Sequence, residues 1–103
     1  MKYKLSHSFI KTTKKLSGKV LDSVREMLED VRKAERLEDI SNCRKLTGYS
    51  FTYRIRVGGL RAFFVYYIVV KDGIIEFEYL VPRGEAYKKE MEAKLRKKDK
   101  KGE

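Results

Sequence analysis

The stretch Tyr53–Arg61 constrains the fold more than any other part of the chain, because it reads as a complete β-hairpin. Apolar and basic residues alternate before Gly58-Gly59, and alternation sends successive side chains to opposite faces of a strand. The two glycines can supply the positive φ angles of a two-residue type I′ turn, which would place Arg56 opposite Arg61. The predicted hairpin therefore has one apolar face and one face that carries Arg54, Arg56 and Arg61.

The arginine face of this hairpin has an energetic cost. Like charges directly opposite one another destabilise a sheet by about 0.2–1 kcal/mol, and a face that served solubility alone would mix both signs. We therefore interpret the face as a binding surface for an anion, with a merely solvated surface as the alternative. The chain has 25 lysines and arginines against 15 acidic residues, a net charge of +10. This charge favours a polyanion such as nucleic acid, or a strongly acidic protein, without choosing between them.

The composition excludes several classes of protein. A chain of 103 residues predicts a single domain with one core. Cys43 is the only cysteine and His7 the only histidine, so disulfides within the chain, zinc-finger spacings and Cys/His catalytic pairs are excluded. We expect no metal and no cofactor. The longest apolar run, residues 62–70, is too short to span a bilayer, and the N-terminus lacks the hydrophobic region of a signal peptide, which predicts a cytoplasmic location.

The hydrophobic period of the N-terminal half predicts a short strand followed by two helices. The strand covers Lys2–Leu5, and Ser6 is expected to cap the first helix. That helix should turn Phe9, Ile10, Thr13 and Leu16 inward. The second helix runs from Lys19 to about Arg36. Residues 37–48 have no clear period, so we interpret them as a connection, one that contains the basic Arg44 and Lys45.

A second turn signal, Asp72-Gly73, extends the hairpin into an antiparallel meander over about residues 51–81. A two-residue turn there would pair Ile68 with Phe77, Tyr66 with Tyr79, Phe64 with Val81, and, on the other face, Tyr67 with Glu78, Val65 with Leu80 and Phe63 with Pro82. The fold class is then α+β, with the two helices packed on the apolar face. The opposite face should grade from acidic Glu76 and Glu78 to the arginines, and Arg83 should join them beside Ala62.

The C-terminal part predicts one further helix over residues 85–97, because Tyr87, Met91 and Leu95 are spaced four residues apart. Tyr87 is interpreted either as the first packing residue of this stripe or as a residue at the rim of the arginine face. Residues 96–103 are rich in lysine and lack apolar anchors, so we expect a mobile basic tail after a single domain of residues 1–95.

Four segments, in this order and spacing, resemble the landmarks of the RelE/ParE superfamily of bacterial and archaeal toxins. They are Lys45-Leu46-Thr47-Gly48, Tyr53-Arg54-Ile55-Arg56-Val57-Gly58, Leu60-Arg61 and Arg83-Gly84-Glu85-Ala86-Tyr87-Lys88. The resemblance implies the toxin of a type II toxin–antitoxin pair, neutralised by an antitoxin protein. In RelE-like members it implies cleavage of messenger RNA in the ribosomal A site. In ParE-like members it implies poisoning of DNA gyrase.

RNA cleavage without a metal needs a deprotonated 2′-hydroxyl, stabilisation of the charged transition state and protonation of the departing 5′-oxygen. Arginines stay charged and present forked donors to phosphate oxygens. We therefore expect Arg61, Arg83 and Tyr87 to be catalytic, with Tyr87 moving the proton. We expect the RNA to be bound by Arg54, Arg56, Phe63, Arg44 and Lys45, where Phe63 is either a stacking surface for a base or a covered structural residue.

Two departures from the family pattern keep the function open. Comparable RelE-like enzymes commonly have lysines at the positions of Arg54 and Arg56, and arginine does not exchange protons readily. Some have histidine where this chain has Pro82. ParE-like members tend to lack the tyrosine element that ends at Tyr87, which favours RNA cleavage on the ribosome. A gyrase inhibitor without nuclease activity and an inactive relative that only binds an antitoxin are the alternatives.

Overall fold

The computed structural model of the chain describes residues 1–67 and 73–101. Its elements follow in the order β1 (Tyr3–Leu5), α1 (His7–Thr13), α2 (Gly18–Lys33), β2 (Cys43–Lys45), β3 (Thr52–Val57), β4 (Leu60–Tyr67), β5 (Ile74–Pro82), α3 (Arg83–Ala86) and α4 (Lys89–Lys101), with a 3-10 turn at Leu37–Asp39 before β2. The predicted α+β class and the predicted order of helices and meander are confirmed.

The strands form one five-stranded sheet in the order β1-β5-β4-β3-β2. The sheet is mixed rather than purely antiparallel, because β1 pairs parallel with β5, with Tyr3 opposite Ile75. Strand β2 lies at the other edge, paired antiparallel with β3. It falls within residues 37–48, which the sequence analysis interpreted as a connection without a strand. A strand of three residues is too short to show the alternation of apolar and polar residues from which strands are predicted.

The first hairpin has the predicted register. Arg56 pairs with Arg61, and Val57 pairs with Leu60 across the glycine turn. The turn type differs from the prediction. Gly58 has a φ of 58°, whereas Gly59 is not among the residues with positive φ, a sign pattern that fits a type II′ turn instead of type I′. Type I′ and type II′ turns both match the twist of the flanking strands, so the strand register is the same with either turn.

The predicted register of the second hairpin is wrong. Phe77 pairs with Phe64 rather than with Ile68, four positions away, and Ile74 pairs with Tyr67. Asp72 and its neighbours in residues 68–72 lie outside the described residues. The described pair Tyr67–Ile74 nevertheless shows that Asp72-Gly73 is not the centre of the turn, because a two-residue turn there would place Lys71 opposite Ile74.

A β-bulge near the middle of β5 changes the faces of its second half. Phe64 pairs with Phe77, but the preceding Phe63 pairs with Tyr79, so β5 contains one extra residue, Glu78. The predicted partners Tyr66–Tyr79 and Phe64–Val81 are therefore wrong, as are Tyr67–Glu78, Val65–Leu80 and Phe63–Pro82. Leu80 turns toward the N-terminal helices, while Tyr79 and Val81 turn away from them.

Helices α1 and α2 cover one face of the sheet and form the larger core with it. Its buried members include Phe9, Val24, Met27, Val31, Ile55, Phe64, Ile75, Phe77 and Leu80. Ser6 caps α1 as predicted, since its Oγ accepts a hydrogen bond of 3.0 Å from the Phe9 backbone N–H. Ile10, which was predicted to point inward, is 38% exposed.

Helix α4 covers the opposite face over a smaller core of Phe63, Ala86, Met91 and Leu95. The single predicted helix over residues 85–97 is instead two helices, α3 and α4, separated at Tyr87 and Lys88. Residues 96–101, which were expected to belong to a mobile tail, continue α4. We call the sheet face beneath α1 and α2 the inner face, and the face beneath α4 the outer face.

Candidate functional site

The sheet gathers four arginines on its outer face. Arg54 lies opposite Arg44, and Arg56 lies opposite Arg61, so two arginine pairs face each other across neighbouring strands. Arg54 also lies opposite Phe63, which faces α4, and this fixes the side of the sheet. The Arg44–Arg54 pair adds to the cost of like charges that was predicted for Arg56 and Arg61. It was missed as a pair because strand β2 was not predicted.

Arg61 is held in place by hydrogen bonds to the backbone of the β3–β4 turn. Arg61 is only 7% exposed, and its Nη1 donates hydrogen bonds to the carbonyls of Gly58 at 3.0 Å and Leu60 at 2.9 Å. The guanidinium therefore closes the turn between β3 and β4. Among the described residues, the buried Nε atoms of Arg61 and Arg54 have no hydrogen-bond partner. A buried donor without a partner costs about 1–3 kcal/mol.

Arg83 begins α3 next to the same turn. Its backbone N–H donates to the Gly59 carbonyl at 2.9 Å, and the preceding Pro82 pairs with Leu60. The residue therefore lies beside Gly59 rather than beside Ala62 as predicted, because the changed register and the bulge move the end of β5. The side chain of Arg83 is exposed, so the structure places it near Arg61 but in contact with solvent.

Tyr87 lies at the junction of α3 and α4 and is 58% exposed. It is not the first buried residue of the last helix, because Met91 and Leu95 form the buried stripe without it. The edge of one ring meets the face of the other between Tyr87 and Phe63, with 6.4 Å between ring centroids. Since Phe63 lies opposite Arg54, this contact holds the tyrosine at the border of the arginine face.

Phe63 and Lys45 do not fit their predicted binding roles. Phe63 has no exposed surface, because α4 covers its ring, so it offers no face for a base and matches the covered structural alternative. Lys45 is exposed but pairs with Tyr53, which packs on the inner core. Directly opposite residues share a face, so Lys45 lies on the inner side of the sheet edge, away from Arg44 and Arg54.

A groove lies beside Tyr87, between the β2–β3 loop and α4. It has a volume of about 310 Å³, and its lining includes Thr47, Tyr49, Tyr87 and Arg96. The Arg96 guanidinium lies 3.9 Å above the ring centre of Tyr49, and its Nη1 donates to the Gly48 carbonyl at 2.6 Å. The sequence pattern does not predict this groove, because a lysine-rich segment without apolar anchors indicates a mobile tail at Arg96.

Comparisons with known proteins give a consistent answer about the fold. The sequence matches no protein-family model and no curated protein. The structure matches an archaeal RelE–RelB complex from Pyrococcus horikoshii with a TM-score of 0.64 and 25% identity, covering 82% of this chain and 97% of the other. It matches the RelB–RelE antitoxin–toxin complex from Methanococcus jannaschii with a TM-score of 0.65 and 24% identity, covering 81% and 93%. A mutant of the Escherichia coli toxin RelE in the free state gives a TM-score of 0.66 at 20% identity, covering 94% and 95%.

The chain has the RelE-like fold of the RelE/ParE superfamily. This confirms the fold that the sequence resemblance implied. Within the RelE-like fold, the structure brings together Arg44, Arg54, Arg56 and Arg61 on the outer face, with Arg83 and Tyr87 at its border. Lys45 and Phe63 are the two predicted site residues that it does not add to this set.

Cys43 lies next to Arg44 in β2 but packs against the inner core, on the other side of the sheet from the arginines. Burial raises the pKa of the Cys43 thiol to about 11, which keeps it protonated at neutral pH.

In residues 1–67 and 73–101 there is no cluster of three or more His, Cys, Asp or Glu residues that could hold a metal ion. No helix in the same part of the chain is both long enough and apolar enough to cross a membrane.

Proposed function

We propose that this chain is the toxin of a type II toxin–antitoxin pair and that it cleaves messenger RNA on the ribosome. The fold likeness to the toxin RelE and to RelB–RelE complexes supports the first part. The single observation that carries the second part is the outer-face arginine cluster, defined as Arg44, Arg54, Arg56, Arg61 and Arg83, with Tyr87 at its edge.

The arginine cluster fits the phosphate of the bond to be cleaved. The exposed Arg44, Arg56 and Arg83 can approach phosphate oxygens from solvent, whereas the more buried Arg54 and Arg61 add positive charge next to them in the sheet. Donors that are already in place before the reaction stabilise charge in the transition state without reorganisation. Charge-assisted hydrogen bonds from guanidinium groups to phosphate are among the stronger ones in proteins.

Proton transfer falls to Tyr87 in this proposal. Arginine keeps its proton at all relevant pH values, so no member of the arginine cluster can act as the general base. Tyr87 has an exposed side chain, and its ring rests against Phe63 beside Arg54. The hydroxyl can therefore meet an RNA strand that lies along the arginine cluster, as base for the 2′-hydroxyl or as acid for the 5′-oxygen.

The partnership with an antitoxin has its own test. A chain with a net charge of +10 is suited to a partner that covers its basic surface. Co-expression with the protein encoded next to it is expected to give a stable complex, part of whose affinity is lost at high salt. Recovery of the chain alone, without a copurifying partner and without toxicity on expression, would contradict the role of toxin.

Catalysis is tested with Arg83→Ala, because Arg61 also closes the β3–β4 turn and its removal would change stability. Loss of Arg83 is expected to lower the single-turnover cleavage rate on programmed ribosomes by about 10²–10³-fold, in keeping with one lost transition-state donor. Arg61→Ala should lower the rate as strongly and also destabilise the fold. Arg25→Ala, which removes an exposed arginine from α2 beyond the inner face, is the matched control and should keep the rate. Equal rates for Arg83→Ala and Arg25→Ala would contradict the proposed site.

A further inference from the structure

The last turns of α4 are attached to the rest of the protein by polar contacts rather than by apolar packing. The Asp99 carboxylate accepts hydrogen bonds from the Ser50 backbone N–H at 3.0 Å, the Phe51 backbone N–H at 2.7 Å and the Thr52 hydroxyl at 2.8 Å. These three donors lie at the end of the β2–β3 loop and the start of β3. We call this set of contacts the Asp99 anchor.

The surroundings show that the anchor is built for a charged carboxylate. Burial by itself would raise the pKa of Asp99, but the hydrogen bonds from Ser50, Phe51 and Thr52 outweigh it and lower the pKa. Thr52 is fully buried, so its hydroxyl depends on Asp99 for a partner within the described contacts. An ionised group that accepts several hydrogen bonds is expected to hold its neighbours in one geometry.

The anchored loop is also a wall of the groove beside Tyr87. The same loop contains Thr47 and Tyr49, which line the groove together with Tyr87. Arg96, one turn before Asp99, donates to the Gly48 carbonyl at 2.6 Å and stacks on Tyr49. The middle of the loop at Gly48 and its end at Ser50 and Phe51 are therefore fixed to one helix, which also lines the groove.

We propose that Asp99 is a positioning residue, which fixes the β2–β3 loop to α4 and so sets the groove in which RNA meets Tyr87. This inference rests on the proposed function for the identity of the ligand. It assigns Asp99 no contact with RNA. Asp99 influences the cleavage rate indirectly, because it holds the loop and Tyr87 in position. A displacement of reacting groups by about 1 Å can lower the rate by about 10²-fold.

Asp99→Asn tests the proposal, because it keeps the size of the side chain while replacing one acceptor oxygen by an amide that faces a donor. The exchange of the Ser50 and Phe51 amides with solvent is expected to accelerate, and the ring resonances of Tyr49 and Tyr87 should shift. Single-turnover cleavage at saturating ribosomes should slow by about 10- to 100-fold, with ribosome affinity within about twofold of the unmodified chain. Thr52→Val, which removes one donor and leaves the charge, should produce the same changes in smaller measure.

Asp22→Asn is the matched control, since it makes the same chemical change at an exposed position of α2. If Asp99→Asn behaves like this control in amide exchange and in cleavage, the anchor does not position the groove. A loss of ribosome affinity with an unchanged cleavage rate at saturation would also overturn the proposal, because Asp99 would then contribute to binding. Absence of cleavage by the unmodified chain would overturn the proposed function, and the amide exchange and tyrosine resonances would then decide the positioning role alone.

Discussion

The two faces of the sheet are held by different forces. On the inner face, α1 and α2 bury a large set of aliphatic and aromatic side chains, with Phe64 stacked on Tyr53 at 5.1 Å between ring centroids and tilted against Phe77 at 5.4 Å. On the outer face, α4 buries little more than Met91 and Leu95 over Phe63, and ion pairs and hydrogen bonds make the remaining attachments. The inner face therefore supplies the stability of the fold. The outer face carries the candidate site, and α4 is attached to this face by a few specific polar contacts.

The strongest test of this difference is Phe64→Ala on the inner face. Phe64 is fully buried and contacts two other aromatic rings, so its truncation is expected to lower the free energy of unfolding by about 3–5 kcal/mol. Chemical denaturation followed by circular dichroism measures the loss, and the whole chain should unfold in one transition. A change below about 1 kcal/mol would contradict the assignment of the main core to this face.

Leu95→Ala is the corresponding change on the outer face. Leu95 is 3% exposed and belongs to the small core beneath α4, so we expect a loss of about 2 kcal/mol that is concentrated in this helix. Amide exchange should show weaker protection throughout α4, while β3, β4 and α2 keep most of theirs. Equal loss of protection in all elements would show that α4 unfolds only with the rest of the molecule and would remove the distinction between the faces.

The smallest expected effect concerns Glu78, the extra residue of the bulge. Its carboxylate pairs with Lys98 of α4 at 3.1 Å, but burial raises its pKa above the usual value in spite of this pair. A raised folded-state pKa means that the folded chain binds more protons than the unfolded chain, so this group should lower stability as the pH rises from about 4.5 through its folded-state pKa. Asp99 has the opposite sign, because its lowered pKa makes its contribution disappear in acid.

Glu78→Gln separates the two carboxylates. The variant should lose the decline in stability above about pH 4.5 while keeping the acid-induced loss that belongs to Asp99. Melting temperatures of the variant and the unmodified chain over pH 3–8 measure the difference, which should grow with pH and then level off. A variant that becomes less stable relative to the unmodified chain as the pH rises would show that the Lys98 pair outweighs the burial of Glu78.

The sequence predicted the inner face well because that face depends on local patterns. The helical period of Val24, Met27 and Val31, the cap at Ser6 and the glycine turn before Leu60 are each decided by a few neighbouring residues. The same reasoning located the Arg56–Arg61 pair, which is the centre of the proposed site.

The outer face was predicted poorly because it depends on contacts between distant residues. The bulge at Glu78 reversed the sides of Tyr79 and Val81, and no turn signal contains information about an extra residue within a strand. Asp99 in an otherwise lysine-rich segment looked like part of a tail, since its three donors lie at residues 50–52. Arg83 remained close to the cluster although its predicted neighbour was wrong, because both registers end β5 near the first turn.

Single-turnover cleavage of messenger RNA on programmed ribosomes shows whether the arginine cluster and Tyr87 form a nuclease site. The unmodified chain is expected to cut within the codon in the A site, and Tyr87→Phe should bind the ribosome equally well but cut slower by about 10²-fold or more, since only the hydroxyl is lost from an exposed ring. Equal cleavage rates for the two proteins would show that Tyr87 does not transfer a proton in the reaction. No cut by the unmodified chain, together with inhibition of supercoiling by DNA gyrase, would contradict the account and favour a ParE-like inhibitor.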